Sequence, residues 1–171
     1  MKKINIFVFI LFKESDLIKR KGLSYKGYYE VKNTHKYIGK KPPYMRSKME
    51  NNFAIYCDNN NNVLKWSSED ITITYYGVDG NQHRYTPDFF VVIKDKNNNI
   101  KKLLIEVKPK KQSPGLAKIP VKPKKPTQKN MRRYYGLLKA YKTNQLKWTS
   151  ARNYCASHGL EFVILTEDYL N

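Results

Sequence analysis

Acidic residues, cysteine and histidine are all scarce in this chain. Of 171 residues, 14 are Asp or Glu, two are Cys and three are His. Each scarcity excludes something. Cys57 and Cys155 make no CxxC pair and no zinc spacing, His35 and His158 suggest no metal set, and His83, a weak site candidate, reads as a structural hairpin histidine. A disulfide framework and a structural zinc site are thereby excluded. Both thiols fall in apolar helical patterns and are expected to be reduced core residues. The apolar run from Ile4 to Phe12 follows a short basic start, but it is too short to span a bilayer and no small-residue cleavage site follows it. Residues 1–18 are read as an apolar, non-secreted extension, and no membrane partner is expected.

Against the 14 acids stand 33 Lys and Arg, a net charge of +19. Lysine, asparagine, isoleucine and tyrosine are abundant, as codon bias in an AT-rich genome would make them. Bias does not decide where lysine accumulates. Residues 101–148 hold 15 Lys/Arg and a single acid, Glu106. That concentration points to a polyanion, with nucleic acid the commonest choice; the partner expected is double-stranded DNA. With 40% hydrophobic residues the chain can nevertheless bury a core.

The pattern divides the chain. Residues 19–44, basic, aromatic and rich in Gly and Pro, read as an arm whose tyrosines 25, 28, 29, 37 and 44 anchor it locally. The domain proper is expected over 45–171. Its first helix runs from Ser47 to Asp58: Ser47 and Glu50 fit a capping box, and Met49, Phe53, Tyr56 and Cys57 form the apolar stripe. From Val63 the chain alternates as strands, with hairpin signals at Asp79-Gly80 (between Ile71–Tyr76 and Gln82–Tyr85) and at Asn97–Asn99 (between Phe89–Lys94 and Lys101–Val107). Residues 109–127 carry five prolines and form an exposed basic loop. Two helices, Gln128–Tyr141 and Asn144–His158, and a final buried strand, Glu161–Thr166, complete the order. Trp66 and Trp148 lie in apolar patterns and are assigned to the core. The fold class is α/β (α+β): a mixed sheet, built as a meander of about four strands plus a C-terminal strand, flanked by helices.

Three charged residues stand at the ends of apolar runs in RYTPDFFVVIKDKNNNIKKLLIEVKPKKQ: Asp88, Glu106 and Lys108. On a strand, Glu106 and Lys108 share a face, while Leu103, Ile105 and Val107 point the other way. Counting across the Asn97–Asn99 turn brings Asp88 to the Glu106/Lys108 end of the ladder. Two carboxylates at a sheet edge make a hard-oxygen site for Mg²⁺ or Mn²⁺, and a lysine beside them can orient water or neutralise charge on a phosphate. The plain alternative is an ordinary Glu106–Lys108 surface ion pair.

TPDFFVVIK followed by LLIEVKPKK resembles the PD-(D/E)xK signature of the restriction-endonuclease-like superfamily. With YIGKKPPYMRSKMENNFAIYCDNNNNVLKWSSEDITITY, HRYTPDFFVV and LKWTSARNYCASHGLEFVILTEDYL, the chain is similar to the head completion nucleases of myovirus-type tailed phages. A transposon end-cleaving endonuclease shares the motif style. The resemblance implies a Mg²⁺-dependent deoxyribonuclease acting on packaged DNA ends or at the portal, in the virion and the host cytoplasm, with portal or neck proteins as further partners. It assigns Asp88 and Glu106 as metal ligands, Lys108 as the catalytic lysine and the Val107 carbonyl as a further ligand. It adds Glu50 on the preceding helix as the fourth acidic member, in competition with its capping-box role. Gln128 matches a glutamine used by some relatives, although here Arg132, not Tyr, lies four residues on, with Tyr134 and Tyr135 beyond. Lys110, Lys111, Lys122, Lys124, Lys125, Gln128, Lys129, Arg132 and Arg133 form the expected DNA-contact set. An inactive DNA-binding virion protein and a resolvase or restriction-type enzyme remain alternative readings of the same pattern.

Overall fold

The computed structural model describes residues 26–113 and 118–169. The expected extension 1–18, residues 19–25 of the arm and residues 114–117 of the Pro-rich loop lie outside them. In chain order the elements are β1 (Gly27–Tyr28), β2 (Tyr44–Met45), α1 (Lys48–Asn59), β3 (Val63–Ser68), β4 (Ile73–Tyr76), β5 (Gln82–Tyr85), β6 (Phe89–Lys94), β7 (Ile100–Val107), α2 (Gln128–Ser157) and β8 (Glu161–Leu165). Four strands form the main sheet in the order β3-β6-β7-β8. β6 is antiparallel to both β3 and β7, whereas β8 joins β7 in parallel after α2. Among the described residues no helix is long and apolar enough to cross a membrane.

The sheet is covered on both faces. On one, α1 lays Phe53, Ala54, Tyr56 and Cys57 onto Val63, Trp66, Phe89, Val91, Ile93, Leu103, Ile105 and Val107. Phe53 meets Phe89 edge-to-face at 4.9 Å between centroids. Such a pair contributes about 1 kcal/mol beyond its buried area. On the other face, Trp148, Ala151 and Cys155 of α2 pack with Leu104, Ile73, Tyr75 and Tyr85. The alternation of β7 is what divides these neighbours, Leu103 and Ile105 to one layer and Leu104 to the other. Trp66 and Trp148 are core residues, and both cysteines are buried and free.

The β6–β7 turn forms because Asp95 accepts the amides of Asn97 and Asn99 at 2.8 and 2.9 Å while Asn98 takes a left-handed φ of 62°. Asn tolerates that conformation better than most residues. The resulting register sets Phe89 opposite Ile105 and Lys94 opposite Ile100.

Two expectations need correction. Residues 128–157 form one helix of 30 residues, with no break between Tyr141 and Asn144. Lys142-Thr143 carries no Gly or Pro to stop propagation, and Trp148, Ala151 and Cys155 anchor the C-terminal half against the sheet. Nor is the meander a single sheet. β3 pairs directly with β6, and the β4–β5 hairpin forms its own two-stranded sheet. It buries Ile73, Tyr75 and Tyr85 against α2 instead of offering an edge to β3.

From Lys26 on, the arm is bound to the domain. Tyr37 bridges Trp66, and the Ile38 and Trp66 amides donate to Trp66 and Lys36 carbonyls at 2.9 Å. This covers the outer edge of β3, which would otherwise present unpaired backbone groups. At the end of α1 the fully buried Asp58 carboxylate accepts from Tyr29 Oη (3.0 Å), Lys32 N (2.8 Å) and Asn33 N (3.0 Å). Tyr29 and Tyr37 stand on Trp66, as anchoring rings should; Tyr28 and Tyr44 are exposed and pair with each other at 5.2 Å.

Candidate active site

The sheet register extends Phe89↔Ile105 by one step, which sets Asp88 against Glu106. Asp88 Oδ2 accepts the backbone N–H of Val107 at 2.7 Å, and the Asp88 carbonyl accepts the amide of Glu69 at 3.0 Å. The start of β6 is thus fixed from both sides. Glu106 is 4% exposed. Its Oε1 lies 2.9 Å from Lys108 Nζ, and its Oε2 accepts the Tyr85 hydroxyl at 2.7 Å. Asp88, Glu106, Val107 and Lys108 therefore share one cluster, at the C-terminal end of β7.

Burial, then the adjacent Glu106 charge, pushes the Asp88 carboxyl up to about 8. Burial by itself would lower the Lys108 pKa, but the Glu106 charge and hydrogen bond, with Asp88 and Glu50, reverse that and raise it. Lys108 is accordingly a cation at neutral pH, not a free base. Burial and the Glu106 charge also raise the Tyr85 hydroxyl, which stays a donor.

This donor set suits a hard divalent cation. Ionising both carboxylates against one ammonium would leave negative charge uncompensated in a partly dry setting, which is why Asp88 keeps its proton without a metal and why a divalent cation would favour its release. Tyr85 and Lys108 each occupy one oxygen of Glu106, and a carboxylate offers about four lone-pair sites, so acceptor capacity remains. The set is small: among the described residues no group of three or more His, Cys, Asp or Glu is arranged to hold a metal.

Glu50 is engaged at the start of α1. Its Oε1 accepts from Ser47 Oγ at 2.7 Å and its Oε2 from Arg46 N at 2.7 Å, while Ser47 Oγ accepts the Glu50 amide at 3.2 Å. Ser47 thus caps the helix as in a capping box, while the Glu50 carboxylate reaches back to the Ser47 hydroxyl and the Arg46 amide. Its charge still acts on Asp88 and Lys108. Arg46 is itself held by a two-pronged pair to Glu69, at 2.9 and 3.1 Å.

The expected DNA-contact residues lie on the segment after β7 and at the start of α2. Lys110 and Lys111 sit in a 3-10 turn after β7, where Lys110 Nζ pairs with Asp168 at 2.8 Å. Lys122, Lys124 and Lys125 are exposed. Gln128, Lys129, Arg132 and Arg133 line an open concavity of about 630 Å³ at the start of α2. Lys147, on the same helix, holds its ammonium 5.4 Å from the Tyr85 ring and 5.9 Å from that of Tyr75. Nineteen residues of helix separate Gln128 from Lys147, about 28 Å at 1.5 Å per residue. Gln128 is therefore remote from the carboxylates. His83 bonds Asp79 at 3.0 Å within the hairpin, a structural role. Tyr85 and Lys147 were not legible as site residues. The only sequence signal for Tyr85 is its place three residues before Asp88.

A family model described as TnsA-like endonuclease N terminal matches residues 60–167. The chain belongs to the TnsA-like endonuclease family. The head completion nuclease of Enterobacteria phage T4 is 33% identical to it over 151 residues, 86% of this chain and 95% of that protein. No solved structure matches. The resemblance read from the motifs is borne out, and so is the restriction-endonuclease-like fold class. The TnsA-like match contains Tyr85, Asp88, Glu106 and Lys108 and excludes Glu50. The similarity to the phage relative extends across most of the chain.

Proposed function

We propose that this TnsA-like protein is a metal-dependent DNA endonuclease that acts in phage head completion, on the ends of packaged DNA. The observation that carries the reading is the buried Asp88–Glu106 pair, tied across β6 and β7, with Lys108 at 2.9 Å from Glu106. A protein that only bound DNA would gain nothing from two half-neutralised carboxylates in its interior.

In this reading Asp88 and Glu106, with the Val107 carbonyl, hold Mg²⁺ or Mn²⁺. Bound there, the ion would supply Lewis acidity and make a water more acidic. Lys108, a cation beside Glu106, offsets the charge that builds on the phosphoryl oxygens. Glu50 joins as a ligand only if its capping box opens; while closed it contributes negative potential. The basic concavity at the start of α2 and the lysines of 110–125 bind backbone phosphates without reading sequence. Double-stranded DNA is the substrate, portal or neck proteins are the further partners, and the virion and host cytoplasm are the places of action.

The test is incubation of the purified chain with supercoiled and linear duplex, with Mg²⁺ or with chelator. Nicking or linearisation that requires the metal and is lost in Glu106→Gln supports the reading. Tight DNA binding without cleavage under any divalent ion supports instead an inactive virion protein.

A further inference from the structure

The mechanism above leaves unused the closest neighbour of Glu106, the hydroxyl of Tyr85. Tyr85 is 5% exposed, and its ring packs with Ile73, Tyr75, Leu104 and Trp148. A buried tyrosine hydroxyl needs a hydrogen-bond partner. Here the oxygen faces Glu106 Oε2 at 2.7 Å, while Lys108 takes Oε1. The two donors come from different elements, Tyr85 from the hairpin and Lys108 from just after the strand that carries Glu106. Between them they fix both the position and the plane of the carboxylate.

We infer that Tyr85 is a positioning residue for the metal-binding carboxylate of Glu106, and that the β4–β5 hairpin is inserted before Asp88 to deliver it. The inference rests on the metal-dependent reading proposed above. Three observations support it. The hairpin stands outside the main sheet, so its packing is not needed for strand pairing. Its strands are four residues each, and the last residue of the second is Tyr85 itself. Lys147 holds its ammonium over the faces of both Tyr75 and Tyr85, at 5.9 and 5.4 Å, and so helps fix the rings. Outer partners that orient a ligand typically account for about ten- to a hundredfold in metal affinity or activity.

Mn²⁺ binding to the full-length chain, read from the signal of the free ion by electron paramagnetic resonance, tests this without reference to turnover. Tyr85→Phe keeps the ring and removes the hydroxyl. It is expected to weaken Mn²⁺ binding about tenfold or more, and to raise the Mn²⁺ concentration needed for half-maximal cleavage. Tyr75→Phe, in the same cluster, controls for packing and is expected to leave Mn²⁺ affinity unchanged. Tyr85→Met, which fills the space with a flexible apolar chain, is the second variant and is expected to show the same loss. Wild-type Mn²⁺ affinity in a folded Tyr85 variant overturns the inference alone, as does an equal loss in Tyr75→Phe. A wild-type chain that binds no Mn²⁺ overturns it together with the nuclease reading.

Discussion

The backbone N–H of Val107 donates to Asp88 Oδ2 across 2.7 Å. This one bond ties the start of β6 to the end of β7 and sets the two acids of the site side by side. It belongs to the folded hairpin, so it forms wherever the β6–β7 register forms.

Replacing either acid by its amide separates chemistry from binding. Asp88→Asn and Glu106→Gln are expected to lower plasmid cleavage by about a hundredfold or more, on the scale of losing a group that stabilises transition-state charge. Gel-shift affinity for duplex is expected to stay near wild type, because the basic surface lies along α2. Full cleavage by both variants would remove these residues from the site.

The Asp88 carboxyl, raised to about 8 by burial and then by Glu106, makes a stability prediction for the metal-free protein. Between about pH 4 and pH 8 the folded chain holds a proton that the unfolded chain has released. Stability therefore falls as pH rises through that window, and it is greatest on the acid side. Melting temperatures measured in chelator are expected to decline from pH 5 to pH 8, less steeply in Asp88→Asn. Mg²⁺ at pH 8 is expected to restore the wild type and not the variant. Identical slopes in both proteins would contradict the assigned burial.

Lys108 is raised, not lowered, by the carboxylates around it, once they outweigh its burial. Cleavage is therefore expected to show no loss from Lys108 deprotonation up to about pH 10. Lys108→Met is expected to cut the rate while changing DNA affinity little. A rate that instead follows a deprotonation near neutral pH, and loses it in Lys108→Met, would make this lysine a base.

Asp58 is a structural acid. Buried, it accepts two arm amides and the Tyr29 hydroxyl. Asp58→Ala strands those donors and is expected to destabilise the full chain by about 3 kcal/mol in urea denaturation. A change below about 1 kcal/mol would mean the arm holds without it.

At the far end of α2, Arg132 and Arg133 are both exposed. Their joint replacement by Ala is expected to weaken binding of all duplex sequences alike. It is also expected to flatten the slope of log affinity against log salt by about 1.8. An unchanged slope would place DNA elsewhere.

Some of this was legible before any fold was known. The meeting of Asp88 with Glu106 follows from alternation and a turn whose Asn and Asp residues are local signals, so counting across the hairpin sufficed. The capping box of Glu50 was also visible, though not that it would engage both carboxylate oxygens. The run from Gln128 to Ser157 was read as two helices because a polar stretch looks like a boundary. Continuity was decided by packing of its C-terminal half. The β4–β5 hairpin was recognised as a hairpin, but its departure from the sheet depends on where Ile73, Tyr75 and Tyr85 find apolar partners, and those lie on α2.

The sequence by itself determined the charge, the strand and helix periods and the convergence of two acids and a lysine. All of these depend on neighbours within a few residues or across one tight turn. Only the tertiary structure decided which groups surround them: Tyr85 from the β4–β5 hairpin, Lys147 from a distant helix, Asp58 bound to the arm. Those contacts join positions 21 to 72 residues apart, brought together by the burial of apolar faces, which is non-directional and leaves no local pattern to read.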